Sequence, residues 1–162
     1  TLGVEDLILI STKDAILVST KKEDQNLKLL LDKLKNKSRT EVDWHREVYR
    51  PWGKYDSLGS SDYYQVKKIT VKPGAKLSVQ LHNHRAEHWV VIAGQAKVTI
   101  DDNVFNLSEN ESTFIPANTL HSLENATESN LEIIEVQTGT YFGEDDIIRL
   151  EDRYGRDNYN DQ

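Results

Sequence analysis

The chain has 162 residues, 37% of them hydrophobic, which is enough for one sizeable core plus an appendage. Its formal net charge of -7 argues against a nucleic-acid partner, and the absence of cysteine excludes disulfides and thiolate metal ligands. No apolar run approaches the roughly 20 residues of a membrane helix and no charged-then-apolar leader opens the sequence, so a cytoplasmic protein with no membrane partner is expected.

Methionine is absent even at position 1, as expected of a fragment or trimmed chain. From the N-terminus, DLILI and AILVS flank STKD and predict a β-hairpin at 6–19 with a polar turn. Leu27, Leu30, Leu31 and Leu34 then recur at i, i+3, i+4 and i+7, which predicts a helix from Glu23 to Asn36 with lysines opposite an apolar stripe. The stripe is expected to pack against a core or a partner surface rather than to hold a cofactor, and polar residues 35–43 read as a linker. Beyond Tyr49, strand signals follow one another at 63–71, 77–82, 88–94, 95–101, 112–116 and 131–139. Pro73-Gly74, Asp101-Asp102-Asn103 and Glu109-Asn110 supply turns between them. This regular spacing predicts a mainly β protein, a double-sheet jelly roll with the hairpin and helix as an N-terminal appendage. The acidic segment 143–152 is expected as a short terminal helix with Glu144, Asp145 and Asp146 in its first turn, its charges otherwise ordinary solvated surface.

Two segments carry the chemistry. Gln80 and His82 are two apart on a predicted strand and share one face, and Glu87 can return to that face after a short turn. Downstream, Pro116 and Asn118 make a turn and His121 begins the next strand. One amide oxygen, two imidazoles and one carboxylate suit a borderline divalent cation, zinc first, with manganese, cobalt, nickel or iron as the other choices. With a single ligand charge the ion keeps positive character and can act as a Lewis acid. The competing reading is of ordinary surface histidines, but His82, His84, His88 and His121 all fall in these segments and only His45 lies outside. His84 is expected to line the pocket without touching the ion, His88 to face away, and His45 to be a surface or packing residue. On the late strand, alternation puts Ile133, Glu135 and Gln137 on one face. Glu135 and Gln137 are therefore candidates for the pocket lining, against an outward solvated face, while Trp52 and Trp89 read as packing residues.

Gly74, Gln80, His82, Glu87 and Gly94, followed by Pro116, Asn118, His121 and Asn125, resemble the paired motifs of the cupins. Gln80 stands where most cupins carry their first histidine, as it does in cupin-type mannose-6-phosphate isomerases. Asn118 stands where they carry a glycine, and asparagine tolerates the left-handed backbone such a turn needs. YRPWGKY at 49–55, LSVQLHNHRAEHW at 77–89, FIPANTLHSLEN at 114–125 and IEVQTGTYFGEDDIIRLEDRYGR at 134–156 together resemble the type II mannose-6-phosphate isomerase domain, over residues 40–157. That domain usually forms the C-terminal part of a bifunctional enzyme whose N-terminal part is a mannose-1-phosphate guanylyltransferase. The resemblance implies a tail of that preceding portion plus a linker helix in residues 1–37, and a double-stranded β-helix isomerase domain in residues 38–162.

It also implies a reaction: metal-dependent interconversion of mannose 6-phosphate and fructose 6-phosphate through an enediol, in the supply of GDP-mannose for polysaccharide synthesis. Gln80, His82, Glu87 and His121 would hold the metal. Glu135 is the candidate base, and Arg85 the candidate stabiliser of phosphate or enediolate. A sugar phosphate is anionic, so the pocket of this acidic chain must be locally basic; Lys76, Arg50 and Gln137 are the substrate-binding candidates, whereas Lys54 reads as a solvated charge. A homodimer is the expected assembly. Guanylyltransferase chemistry is not expected in these residues, which carry no glycine-rich phosphate loop of the required kind. Two alternatives stand beside this reading: a cupin that binds a sugar phosphate or sugar nucleotide without turning it over, and a cupin acting on another substrate, as a dioxygenase or a sugar epimerase.

Overall fold

The computed structural model describes residues 2, 3, 5–37, 45–151 and 153–155. The chain divides into two compact units, Thr1–Glu47 and Val48–Gln162. Most of the predicted linker at 35–43 lies outside the described residues.

In the first unit, strands β1 (Leu7–Ser11) and β2 (Ile16–Thr20) pair antiparallel, from Leu7 opposite Thr20 to Ser11 opposite Ile16. Thr12 closes the turn between them: its Oγ1 accepts from the backbone N–H of Asp14 at 3.3 Å and of Ala15 at 3.2 Å. Next come a 3-10 turn at Lys21–Asn26 and helix α1 (Leu27–Asn36). The helical pattern therefore starts as a tighter turn, in which Asn26 Nδ2 donates to Glu23 Oε2 at 2.6 Å, before α geometry takes over. Leu27, Leu29, Leu30 and Leu31 remain exposed.

The remaining strands are β3 (Glu47–Arg50), β4 (Gly53–Ser60), β5 (Tyr64–Val71), β6 (Val79–His82), β7 (Arg85–Ala93), β8 (Ala96–Ile100), β9 (Asn103–Leu107), β10 (Ser112–Ile115), β11 (His121–Glu124), β12 (Leu131–Gly139) and β13 (Ile147–Glu151). They form a six-stranded sheet in the order β10-β7-β12-β5-β4-β3 and a five-stranded sheet in the order β13-β6-β11-β8-β9. Side-chain alternation explains the packing of both. In β7, Arg85, Glu87, Trp89 and Val91 are buried while His88 and Ile92 are exposed; in β12, Leu131, Ile133, Glu135 and Gln137 are buried. The apolar core joins Ile69, Val71, Trp89, Val91, Ile115, Leu131 and Ile133 from the larger sheet to Ala96, Val98, Leu107 and Leu123 from the smaller. Each apolar inward row thus finds its partner on the opposite sheet, the jelly-roll packing expected from the strand spacing.

The turns fall where the sequence puts them. Gly74 (φ +68°), Asp101 (+50°), Asn110 (+66°) and Asn118 (+61°) each supply the left-handed residue their turn requires. Gly94 combines φ +84° with a close approach: a Cβ there would come within 2.9 Å of the Asn130 carbonyl oxygen.

Segment 143–152 departs from expectation. Only Glu144–Asp146 makes a 3-10 turn, and Ile147–Glu151 is strand β13 on the edge of the smaller sheet, with Ile147 opposite His82 and Arg149 opposite Gln80. The β-branched pair Ile147-Ile148 and the unpaired edge of β6 outweigh the acidic helix-start signal. Asp146 is also buried, not solvated surface. Among the described residues no helix is long and apolar enough to cross a membrane.

Candidate metal centre

Strand β6 presents Gln80 and His82 on one face, β7 presents Glu87, and His121 is the first residue of β11, directly opposite Gln80. Ligand atoms of His82, Glu87 and His121 all lie within 4.8 Å of one another, and all three side chains are buried. His82 Nε2 is 3.0 Å from Glu87 Oε1, and His121 Nε2 is 3.8 Å from Glu87 Oε2. The short His82 contact is not aligned as a hydrogen bond, so both ring nitrogens of His82 and Nε2 of His121 are buried without a hydrogen-bond partner. His121 Nδ1 pairs at 2.9 Å with the Thr119 carbonyl oxygen, which as an acceptor requires the ring proton on Nδ1 and leaves the Nε2 lone pair directed at Glu87. Orphaned imidazole nitrogens around a buried carboxylate are what a divalent cation satisfies. Gln80, whose Oε1 accepts from Ser78 Oγ at 3.1 Å, lies two residues before His82 on the same strand and lines the same cavity.

A second layer holds the carboxylate. Trp89 Nε1 donates to Glu87 Oε2 at 3.0 Å and to Glu135 Oε1 at 3.2 Å; Gln137 Nε2 donates to Glu87 Oε1 at 2.9 Å and to Glu135 Oε2 at 3.0 Å. Two buried carboxylates thus share two donors. They titrate in opposite directions. Burial alone would raise Glu87, but the contacts with His82, His121 and Arg85 outweigh it and hold Glu87 well below the usual carboxylate range. Glu135 is pushed up to about 8, by burial first and then by the charge of Glu87, with Lys67 only partly offsetting them. Burial also lowers His121, against the attraction of Glu87, and so favours the neutral imidazole a metal needs.

Gln80, His82, Glu87, Glu135 and Gln137 line a cavity that opens to solvent. Of the residues singled out from sequence, Gln80, His82, Arg85, Glu87, Glu135, Gln137 and Arg50 line it; His121, Lys76 and Lys54 do not, and neither does His84, which was expected on the pocket wall but is drawn outward by its pairing with Asp146. Lys76 instead sits opposite Glu124 in an isolated bridge, and the Lys54 ammonium lies 5.7 Å from the Tyr49 ring centre. Arg85 is buried with its charge shared: Nη1 donates to the Gly143 carbonyl at 2.9 Å and lies 3.5 Å from Asp146 Oδ2, and Nε lies 3.7 Å from Glu87 Oε1. His84 is exposed and pairs through Nδ1 with Asp146 Oδ1 at 2.7 Å, and His88 faces out against Phe114. Trp89 packs in the core as expected and also acts through its indole N–H.

Lys67, Arg149 and Glu144 reach the cavity without having been picked out from sequence. Strand phase is the signal that finds the first two. Lys67 alternates with Ile69 and Val71, and Arg149 with Ile147, so each points inward with its apolar neighbours. Glu144 is positioned by a turn whose conformation depends on the anchoring of Asp146.

Two antiparallel sheets enclosing a histidine and carboxylate site in this strand order define a cupin, a double-stranded β-helix. Oxalate decarboxylase from Bacillus subtilis shares the fold at TM-score 0.58 and 24% identity, over 67% of this chain and 30% of its own. A conserved double-stranded β-helix protein from Klebsiella pneumoniae does so at TM-score 0.54 and 16% identity, over 67% and 87%. The family model described as mannose-6-phosphate isomerase C-terminal matches residues 37–152, and the chain belongs to that family. Curated relatives include a mannose-1-phosphate guanylyltransferase of Escherichia coli strain K12, 55% identical over 156 residues covering 96% of this chain and 33% of that protein. The alginate biosynthesis protein AlgA of Pseudomonas putida is 54% identical over 155 residues, 96% of this chain and 32% of its own. The xanthan biosynthesis protein XanB of Xanthomonas campestris is 52% identical over 154 residues, 95% and 33%. The chain thus spans about a third of the length of the curated relatives it matches.

Proposed function

We propose that this chain is the isomerase part of a bifunctional guanylyltransferase and isomerase, converting mannose 6-phosphate and fructose 6-phosphate in the cytoplasmic supply of GDP-mannose. Residues 1–37 then belong to the tail of the guanylyltransferase portion and residues 38–162 to the isomerase domain. The observation that carries the reading is the buried cluster of His82, Glu87 and His121, whose ligand atoms lie within 4.8 Å of one another around orphaned imidazole nitrogens, with Glu135 tied to Glu87 through Trp89 and Gln137. Gln80, His82, Glu87 and His121 would hold a divalent ion, zinc foremost, which when bound supplies a Lewis acid for the substrate carbonyl.

Aldose to ketose conversion moves a proton between C2 and C1 while the neighbouring oxygens exchange roles. Glu135 is the residue proposed to take and return that proton at its carboxylate, since its proton affinity lies near working pH. Gln137 and Trp89 fix the orientation of both carboxylates through their shared hydrogen bonds. Arg50 and Gln137 bind substrate, and Arg85 contributes positive charge close to Glu87. The proposed assembly is a homodimer; the exposed leucines of α1 supply a physical motive for association. A coupled assay following fructose 6-phosphate tests the reading, with the chain stripped by chelator and resupplied with single divalent ions. Activity that never appears with any of them rejects it.

A further inference from the structure

An antiparallel sheet that covers a core commonly turns polar residues to the other side. At the cavity end of the larger sheet that order is reversed. Lys67, Glu87, Glu135 and Gln137 are buried on the inward face, and the residues that alternate with them turn outward: Val66 from β5, His88 and Val90 from β7, Ile134 and Val136 from β12. Register joins these into rows. Phe114, His88, Val136, Val66 and Gly59 stand opposite one another in turn, one row across five strands. Ser112, Val90, Ile134 and Lys68 form the next row. Phe114 is 51% exposed and lies against His88 with ring centres 4.7 Å apart; Ile92, past the second row on β7, is 42% exposed. Strands apolar on their outward side are the pattern of a sheet that is covered there as well.

The first row falls in size from one end to the other. Phe114 projects at the β10 edge, two valines follow His88, and the row ends at Gly59, where a Cβ would meet nothing within 4 Å. A two-fold axis parallel to the strands, midway between β7 and β12, lays β10 of one copy over β5 of the other and β7 over β12. Phe114 then enters the space at Val66 and Gly59 of the second copy, His88 meets Val136, and Val90 meets Ile134. The large end of each row fills the small end of the other, as an isologous contact requires. Charge points the same way. His88 is the one titratable side chain in the first row, and Lys68, at the end of the second, pairs with Glu132 at 3.2 Å, so the face selects a neutral apolar partner like itself. Four strands at roughly 4.8 Å and the length from Ala86 to Ile92 at roughly 3.4 Å per residue give about 400 Å² in plan, half of the about 800 Å² that each partner buries in a standard interface. The patch is thus the size of the apolar centre of such an interface, with a polar rim around it.

We propose that the outward face of the larger sheet, centred on Phe114, His88, Val136 and Val66, is where two copies of this chain pack sheet to sheet. The inference takes up the homodimer proposed above and gives it a face on the second unit, in place of the α1 leucines of the first. It holds for any chemistry in the cavity, which opens from the other side of the same strands.

Sedimentation equilibrium of the full chain and its variants tests it, with circular-dichroism melts to establish that each variant is folded. Wild type is expected to dimerise below about 100 µM. Phe114→Glu and Val66→Lys each enter the interface twice and should weaken association by about hundredfold, and Phe114→Ser, which adds no charge, by about tenfold. Mixing Phe114→Glu with Val66→Lys restores association to within about tenfold of wild type, since the two-fold sets the new carboxylate over the new ammonium at one contact and leaves phenylalanine on valine at the other. A wild-type chain that stays monomeric at about 1 mM overturns the proposal, as does wild-type association of folded Phe114→Glu and Phe114→Ser. Dimers lost in Leu30→Gln/Leu31→Gln and kept in Phe114→Glu place the contact on α1 and overturn it too. A mixture that fails to associate rejects the two-fold described. A dimer that follows these variants but makes no fructose 6-phosphate rejects the isomerase reading and keeps the face; isomerisation by a strict monomer rejects the face and keeps the isomerase.

Discussion

Glu87 and Glu135 have the same chemistry and lie on neighbouring strands, yet their surroundings separate their proton affinities. Imidazoles and a guanidinium face Glu87; Glu87 itself faces Glu135. In the metal-free protein the consequence for stability has a definite sign. Glu135 is raised from 4.5 to about 8, so the folded state binds a proton that the unfolded state releases between those values. Stability from this group is therefore full below pH 4.5 and is lost as pH rises through about 8. Thermal melts of the chelated chain across this range should fall toward alkaline pH, and Glu135→Gln should flatten that part of the profile. For activity, Glu135→Gln should lower kcat by roughly 10²–10⁴-fold, the usual size of a lost acid-base catalyst, with bound metal unchanged by elemental analysis. Near wild-type turnover in that variant would remove Glu135 from the proposed role.

Among the elements, the turn before β11 and the turn before β13 decide most. Asn118 sits at φ +61° and its N–H donates to the His82 carbonyl at 2.7 Å, tying the loop of one ligand to the strand of another. Asn118→Val should cost about 1–2 kcal/mol because a β-branched residue resists the left-handed region, whereas Asn118→Gly should be nearly neutral. Chemical denaturation distinguishes the two. Asp146 anchors the other turn, accepting from two backbone N–H groups and contacting His84 and Arg85. Burial would raise it, but the bonds from His84 and Asn83 and the charge of Arg85 prevail and lower it. Its stabilisation is present above its ordinary value of 3.8 and is lost as pH falls through the lower folded value. Asp146→Ala leaves buried Arg85 with one carboxylate fewer and should destabilise by about 3 kcal/mol, read as a shifted denaturant midpoint.

For the whole molecule, the buried apolar cluster runs from Trp52 to Ile133 and lies entirely within the second unit. A chain beginning at residue 48 should keep a cooperative melt close to that of the full chain, since no core residue is removed; loss of the transition would contradict the division. Metal should stabilise the same unit. A free ion at about 1,000 times its Kd adds about 4 kcal/mol to a state that alone binds it. Chelation should therefore lower Tm, and His121→Ala should abolish most of that dependence.

Strand phase and turn residues were local, so the hairpin, most strands of the barrel, the turns at Gly74, Asp101 and Asn110, and the phase that faces His82 and Glu87 inward were all legible in the chain. Strands β3, β4 and β9 and the edge strand β13 were not, because short mixed segments take their form from the neighbour they pair with. The charged wall of the cavity was the least legible feature. Arg50, Lys67, Glu144 and Arg149 span a hundred residues of chain, and only the closing of two sheets brings them to one point. Sequence periodicity states which face a side chain takes; which other side chain it meets there depends on strand order and register, and those are settled by burying the whole apolar core at once.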